Sequence, residues 1–164
     1  MKEPAPRKRP STESGGPDIP IGSYWLRLFG GGRVSPMYKL DWEPKGLLRT
    51  YSGRVSWAEV NESISEVHSA PRYEDLSYVI NDFSECESLE ITRDQIEDIA
   101  ARVSGAEYAH KPQKILRHFK TAYVATSPSM RNTVTTFISA TIVNTSVNIF
   151  GTVLEARAWV TQGK

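Results

Sequence analysis

The fold of this chain is decided by residues 76–83, which read LSYVINDF. The middle of this stretch is a continuous apolar run, typical of a central strand that is covered on both faces. An amphipathic helix follows, because Thr92 and Gln95 form a capping box ahead of a helical apolar stripe at 96–103. A strand followed by a helix of this length predicts a parallel sheet with crossover helices.

The same two patterns recur on both sides of this unit. Before it, two segments separated by a Pro-Lys-Gly turn predict a hairpin, and a capping box begins a first helix. After it come two more strand–helix pairs, and the closing helix carries Leu154, Ala158 and Trp159. The order ββαβαβαβα predicts an α/β fold with a mixed, mostly parallel five-stranded sheet and about four helices. The predicted strands are 38–43, 47–52, 76–83, 119–125 and 146–150, and the helices begin after Ser56, Thr92, Ser127 and Thr152.

Residues 129–143 carry two conflicting signals. Thr, Val and Ile dominate the segment, and these residues favour a strand. A helical stripe nevertheless joins Met130, Val134, Phe137 and Ile138, and Pro128 stands at the favoured first helical position. The segment is therefore predicted to be a helix, with one charged side chain and a polar outer face.

The charge balance and the single cysteine bear on which partners and which cellular location are expected. The 164 residues include 20 basic and 19 acidic side chains, and the part after residue 22 has no net charge. The chain therefore has no marked excess of positively charged side chains, which nucleic-acid-binding proteins normally show, and no nucleic-acid partner is expected. With a single cysteine, no signal peptide and no apolar run of about 18 residues, the chain is predicted to be cytoplasmic.

The first 37 residues are predicted to lie outside the domain at 38–164. Residues 1–22 are rich in Pro, Gly, Ser and charge, which predicts a disordered basic leader. Residues 23–37 hold an apolar segment followed by three glycines. Two interpretations remain open for this segment: it docks on the domain surface, or its side chains Trp25, Leu28 and Phe29 anchor the chain to a membrane or a partner.

Four segments together resemble a known family: GRVS with Glu59, VINDFS at 79–84, KTAYVA at 120–125, and FGT with a helix at 150–160. In order and spacing they are similar to the STAS superfamily, specifically its SpoIIAA-like branch, over about residues 38–160. The resemblance implies a non-catalytic binding or regulatory domain. Family members in the sporulation pathway are switched by phosphorylation of a serine, but the corresponding turn here, 90–94, lacks the serine motif. Thr92 lies near the acceptor position, and its hydroxyl is predicted to cap a helix instead.

Members outside that pathway are implied to bind apolar ligands or membranes through a mobile helix that covers a cavity. Here the helix at 129–143 would supply the surface, with Met130, Val134, Phe137 and Ile138 as candidate contacts. A small apolar molecule or a membrane surface is therefore one expected partner. The alternative is a protein-interaction module, in which the same helix meets a regulatory protein or a second copy.

No catalytic set converges in the sequence, and neither a cofactor nor a metal is predicted. The three histidines lack metal-ligand spacing. Cys86 stands between two glutamates, which disfavour its thiolate. Asp82, at the predicted end of the central strand, is a candidate ligand or catalytic group, although an aspartate there more often fixes the following loop. The basic run 110–120 is interpreted in two ways, as a phosphate-recognising face or as the solvated side of a strand.

Overall fold

The structure, a computed structural model, describes residues 37–110, 119–141 and 146–162. Five strands form one sheet in the order β1-β2-β3-β4-β5; β1 is antiparallel to β2, and the other neighbours are parallel. The predicted order of strands and helices is thereby confirmed. The elements are β1 Tyr38–Trp42, β2 Gly46–Ser56, α1 Trp57–Ser69, β3 Tyr78–Glu90, α2 Arg93–His110, β4 Lys120–Val124, α3 Pro128–Ala140, β5 Ser146–Phe150 and α4 Val153–Thr161, with a short 3-10 helix at Pro71–Asp75.

The helices cover both faces of the sheet. Helices α1, α2 and α3 pack on one face, where a buried cluster joins them to β2, β3 and β4. Helix α4 packs on the opposite face, where Ala156 and Val160 contact Ile80 and Val124. The first six residues of β3, 78–83, are buried on both faces for this reason, as their continuous apolar run predicts.

Side-chain caps begin the helices where the sequence predicts them. The Ser56 and Glu59 pair forms a complete capping box on α1, and Thr152 and Glu155 form another on α4. The hydroxyl of Ser127 accepts a hydrogen bond from the amide of Met130 at the start of α3. Each cap satisfies amide groups that the first turn of a helix leaves without a partner.

Strands β2 and β3 are longer than predicted, because the pairing between them continues through two irregularities. The register shifts between Thr50 and Ser52 and again between Gly53 and Arg54, so β3 holds an extra residue at each point. Gly53 has a φ of +66°, a left-handed conformation that glycine adopts without strain. A bulge of this kind interrupts the period-two pattern, and the pattern therefore predicts an end to the strand where none occurs.

The closing helix differs from the prediction in the face that it buries. Leu154 is 78% exposed and Ala158 is exposed, whereas Ala156 and Val160 are buried. Trp159 is half-buried and contacts Phe150, with their ring centroids 5.5 Å apart. The helix has only nine residues, so its apolar positions do not specify one stripe, and contact with the sheet selects the buried side.

Part of the predicted organisation lies outside the described residues. This applies to the leader at 1–22, to the segment with Trp25, Leu28 and Phe29, and to positions 111–118 of the basic run. Lys120, at the described end of that run, donates hydrogen bonds to the carbonyls of Trp159 and Gln162 at the end of α4, both 2.8 Å long. Its ammonium group therefore stabilises the end of a helix, where a cation is favoured.

Candidate functional site

A cavity of about 360 Å³ lies between the sheet and helices α1, α2 and α3. Strand alternation explains its lining, because every second residue of β2, β3 and β4 faces these helices. Its walls are mainly aliphatic and aromatic. The described lining residues are Arg49, Tyr51, Val60, Ile64, Val67, His68, Tyr73, Val79, Asn81, Phe83, Leu89, Ile91, Ile96, Ile99, Val103, Phe119, Thr121, Tyr123, Thr133, Val134, Phe137, Ile138, Thr141 and Val147.

Helix α3 forms one wall of this cavity. Three of its predicted contact residues, Val134, Phe137 and Ile138, line the cavity, while Met130 is buried in the adjoining core cluster. The Phe137 ring meets Tyr123 of β4 edge-on, with ring centroids 6.1 Å apart. The structure thus brings the predicted residues of α3 together on the face that covers the sheet.

The outer face of α3 is polar because its hydroxyls bond to the helix itself. The side chains of Thr135, Thr136 and Ser139 each donate a hydrogen bond to the carbonyl four residues earlier, at 2.8–3.0 Å. Back-bonding of this kind lets a hydroxyl residue sit in a helix at some cost in helix stability. Together with the low helix propensity of β-branched residues, it leaves α3 dependent on its buried face.

A polar group interrupts the apolar wall on the sheet side. Arg49 of β2 is only 8% exposed, and Asn81, its register partner on β3, is 7% exposed. Arg49 Nη1 donates to Tyr51 Oη at 3.4 Å, which is long for a hydrogen bond. The Ser63 hydroxyl donates to the carbonyl of Val60 at 2.8 Å, so Tyr51 must donate its own proton to Ser63 Oγ, 2.7 Å away.

These hydrogen bonds form a series in which Arg49 donates to Tyr51, Tyr51 to Ser63, and Ser63 to a backbone carbonyl of α1. Each hydroxyl in the series accepts one hydrogen bond and donates another, so Tyr51 and Ser63 are both satisfied. Arg49 is not satisfied in the same way. Among the residues that the structure describes, its Nε has no hydrogen-bond partner, and no carboxylate forms an ion pair with it.

Sequence reasoning missed Arg49, although a signal for it was present. Residues 47–51 read Leu, Leu, Arg, Thr, Tyr, and alternation places Arg49 on the same face as Leu47 and Tyr51. Both of those neighbours are almost completely buried. An arginine between two buried positions of a strand is rare unless it has a partner, and this expectation alone would have singled it out.

Asp82 does not belong to this site. It lies in the middle of β3, eight residues before the strand ends, so its predicted place at the strand end was wrong. Alternation puts it with Ile80 on the α4 face of the sheet. The residue is 6% exposed, and its carboxylate accepts a hydrogen bond from the amide of Ser84 at 2.9 Å, within the first irregularity of the β2–β3 pairing.

Thr92 and Cys86 also lie away from the cavity lining. The Thr92 hydroxyl accepts from the amide of Gln95 at 3.3 Å, and the Gln95 side chain accepts from the Thr92 amide at 2.9 Å, which is the predicted capping arrangement. Burial raises the pKa of the Cys86 thiol to about 11, with a smaller contribution in the same direction from Glu87. The thiolate is therefore disfavoured mainly by desolvation and less by charge.

The described part of the chain holds neither a metal-binding cluster nor a membrane-spanning helix. No group of three or more His, Cys, Asp or Glu side chains in that part is placed to hold a metal ion. Within the same ranges, no helix combines the length and the apolar character needed to cross a membrane. The described lining residues of the cavity also include no carboxylate and no thiol.

Comparison with known proteins identifies no relative by sequence. No protein-family model matches the chain, and no curated protein matches it. Solved structures of similar arrangement include the anti-sigma factor antagonist SpoIIAA in its unphosphorylated form, at 15% identity and a TM-score of 0.49, covering 75% of this chain and 96% of that one. The phosphorylated form of the Bacillus cell fate determinant SpoIIAA matches at 16% identity and a TM-score of 0.49. The match covers 75% of this chain and 98% of that one.

A third structure of the same kind is an uncharacterised protein with a SpoIIAA-like fold from Shewanella loihica. It matches at 10% identity and a TM-score of 0.45, covering 75% of this chain and 91% of that one. At identities this low the likeness concerns the fold alone.

Proposed function

We propose that this domain is a non-catalytic binding module that holds a small, largely apolar molecule in the cavity beneath α3. The observation that carries the proposal is the cavity itself, whose volume of about 360 Å³ falls in the range of small-molecule sites, roughly 300–1,000 Å³. The space is partly open and lies between a sheet and three helices, which is the concave, mostly apolar form that small-molecule sites take.

Helix α3 is the element best suited to admit that occupant. Of its 13 residues only Met130 and Val134 are buried, whereas α1 buries five residues over the same length. Regions held by few buried contacts open at the lowest free-energy cost. Movement of α3 would expose Val134, Phe137 and Ile138 and with them the apolar cavity.

The alternative partner, a protein or a second copy bound to the outer face of α3, has less support. The hydroxyls of that face already donate to their own helix, and the only large apolar side chain that is strongly exposed in the described ranges is Leu154 on α4. A single exposed leucine is normal for a monomer surface. Membrane anchoring through Trp25, Leu28 and Phe29 stays a prediction.

A titration with a neutral apolar fluorophore tests the proposed function. N-phenyl-1-naphthylamine, whose emission rises in apolar surroundings, is titrated into the full chain, and saturable binding near one molecule per chain is expected. Val134→Phe fills part of the cavity and should weaken binding at least about tenfold, or 1.4 kcal/mol.

Thr135→Phe is the matched control, because Thr135 is exposed on the same helix one residue away. It adds the same ring outside the cavity and should bind the fluorophore as the parent chain does. Thermal unfolding of both variants verifies the fold. Unchanged binding in Val134→Phe, or non-saturable binding in the parent chain, would contradict the proposal.

A further inference from the structure

Arg49 places a positive charge in the wall of the cavity with little to balance it. Its only side-chain hydrogen bond to a described residue is the 3.4 Å contact with Tyr51. A guanidinium has five N–H donors and stays protonated at any physiological pH, so it cannot lose its charge to escape burial. Charged side chains this deeply buried are almost always paired.

We infer that the cavity takes an apolar monocarboxylate, whose carboxylate pairs with Arg49 and whose hydrocarbon body lies against α3. The inference rests on the binding function proposed above and names the chemical class of the ligand. The planar fork of a guanidinium matches the two oxygens of a carboxylate. Asn81, which is beside Arg49 in the β2–β3 register and also lines the cavity, offers a side-chain amide as an additional donor.

The balance of charge favours a carboxylate over a phosphate. Arg49 is the only arginine or lysine among the described lining residues, and it supplies the one permanent positive charge of that lining. A phosphate monoester carries about −1.5 to −2 at neutral pH and would remain under-compensated in an apolar space. A carboxylate carries one negative charge, which Arg49 neutralises.

The size of the cavity indicates the size of the ligand. The cavity volume of about 360 Å³ lies at the lower end of the range for small-molecule sites, roughly 300–1,000 Å³, and therefore favours a short hydrocarbon chain. Decanoate, a medium-chain monocarboxylate, is a suitable probe. Decan-1-ol has the same chain length and no charge, and it therefore isolates the contribution of the carboxylate.

The experiment measures displacement of N-phenyl-1-naphthylamine from the full chain at pH 7 by decanoate and by decan-1-ol. The parent chain should bind decanoate about tenfold more tightly than the alcohol or better, as expected for a charge-assisted hydrogen bond in place of a neutral one. Arg49→Met should abolish this preference by weakening decanoate about tenfold while leaving decan-1-ol unchanged.

Arg54→Met is the matched control, because Arg54 lies on the same strand but is exposed and paired with Glu90. It should retain the preference for decanoate. Equal affinity of the parent chain for the two probes would overturn the inference while leaving the proposed function intact. Displacement by neither probe, together with failure of the fluorophore to bind, would overturn the proposed function itself. The comparison of the two probes on the parent chain needs no variant, so it decides the question even if Arg49→Met misfolds.

Discussion

Replacement of Arg49 by methionine should make the ligand-free domain more stable. The side chain is 8% exposed, and its guanidinium has one long hydrogen bond among the described residues. Removing an ion from water costs several kcal/mol in a folded protein unless partners compensate for it. Methionine keeps an unbranched apolar stem of similar reach and needs no hydrogen-bond partner.

The size of the effect follows from the contacts that are lost and gained. The Tyr51 hydroxyl loses a donor at 3.4 Å but keeps its own bond to Ser63, so the loss is at most about 0.5–1 kcal/mol. Relief of the desolvation cost outweighs it, since replacing buried charges by apolar residues of similar volume stabilises proteins by as much as about 1–4 kcal/mol. We expect the free energy of unfolding to rise by about 2 kcal/mol.

Urea denaturation followed by circular dichroism measures this change. With an m-value of about 1.5 kcal/mol/M, a gain of about 2 kcal/mol moves the midpoint upwards by roughly 1.3 M. Arg54→Met is the control, because loss of its exposed ion pair with Glu90 should lower the stability by less than about 1 kcal/mol.

A decrease of more than about 1 kcal/mol in Arg49→Met would refute the reasoning. It would show that groups of the folded domain already offset the desolvation cost of the guanidinium, so that no bound anion is needed to balance its charge. A stability gain combined with the loss of decanoate preference would show instead that the charge is kept for binding at the expense of stability. Such an exchange is common at functional sites.

Three further predictions concern the helix caps and the cysteine. Thr152→Ala should lower the free energy of unfolding by about 1 kcal/mol through loss of the α4 cap, whereas Thr161→Ala in the last turn should change it by less than about 0.5 kcal/mol; urea midpoints compare the two. Burial opposes ionisation of Glu59, but hydrogen bonds from Ser56 outweigh it and lower its pKa below the ordinary value of 4.5. Its capping contribution is thus fully present above that value and lost as the pH falls through the lower folded pKa, and urea midpoints from pH 7 to pH 3 should show a weaker acid dependence in Glu59→Gln. Because burial raises the pKa of Cys86 to about 11, iodoacetamide at pH 8 should alkylate the folded chain much more slowly than the urea-unfolded chain, and equal rates would contradict this.

The helix starts could be predicted because their signals are local. A capping box such as Ser56 with Glu59 is complete within four residues, and its hydrogen bonds form in the structure as the sequence predicts. The same holds for α3, where Pro128 and a stripe that includes Val134 outweigh the strand propensity of the segment. Apolar spacing on a helix is a property of neighbouring residues, so it can be recognised without knowledge of the rest of the fold.

The candidate site could be predicted only in part. The apolar face of α3 follows from spacing, but the cavity opposite it does not, because a cavity is the volume left over after three helices and a sheet have packed. The burial of Arg49 with few hydrogen-bond partners among the described residues also depends on segments that are distant in the sequence. A charged residue in a strand is normally expected to reach solvent, and only the assembled sheet and helices bury the side chain of Arg49.

The sequence by itself therefore determined the order of the elements, the starts of the helices and the apolar face of α3, since all of these depend on residues a few positions apart. The tertiary structure alone decided where β3 ends, which face of the sheet carries Asp82, which side of α4 is buried and what surrounds Arg49. These features depend on pairing and packing between segments that are distant in the chain, such as the bulged register of β2 with β3. Local patterns contain no information about that register, because the energy that selects it comes from contacts that form only when the sheet and its helices assemble.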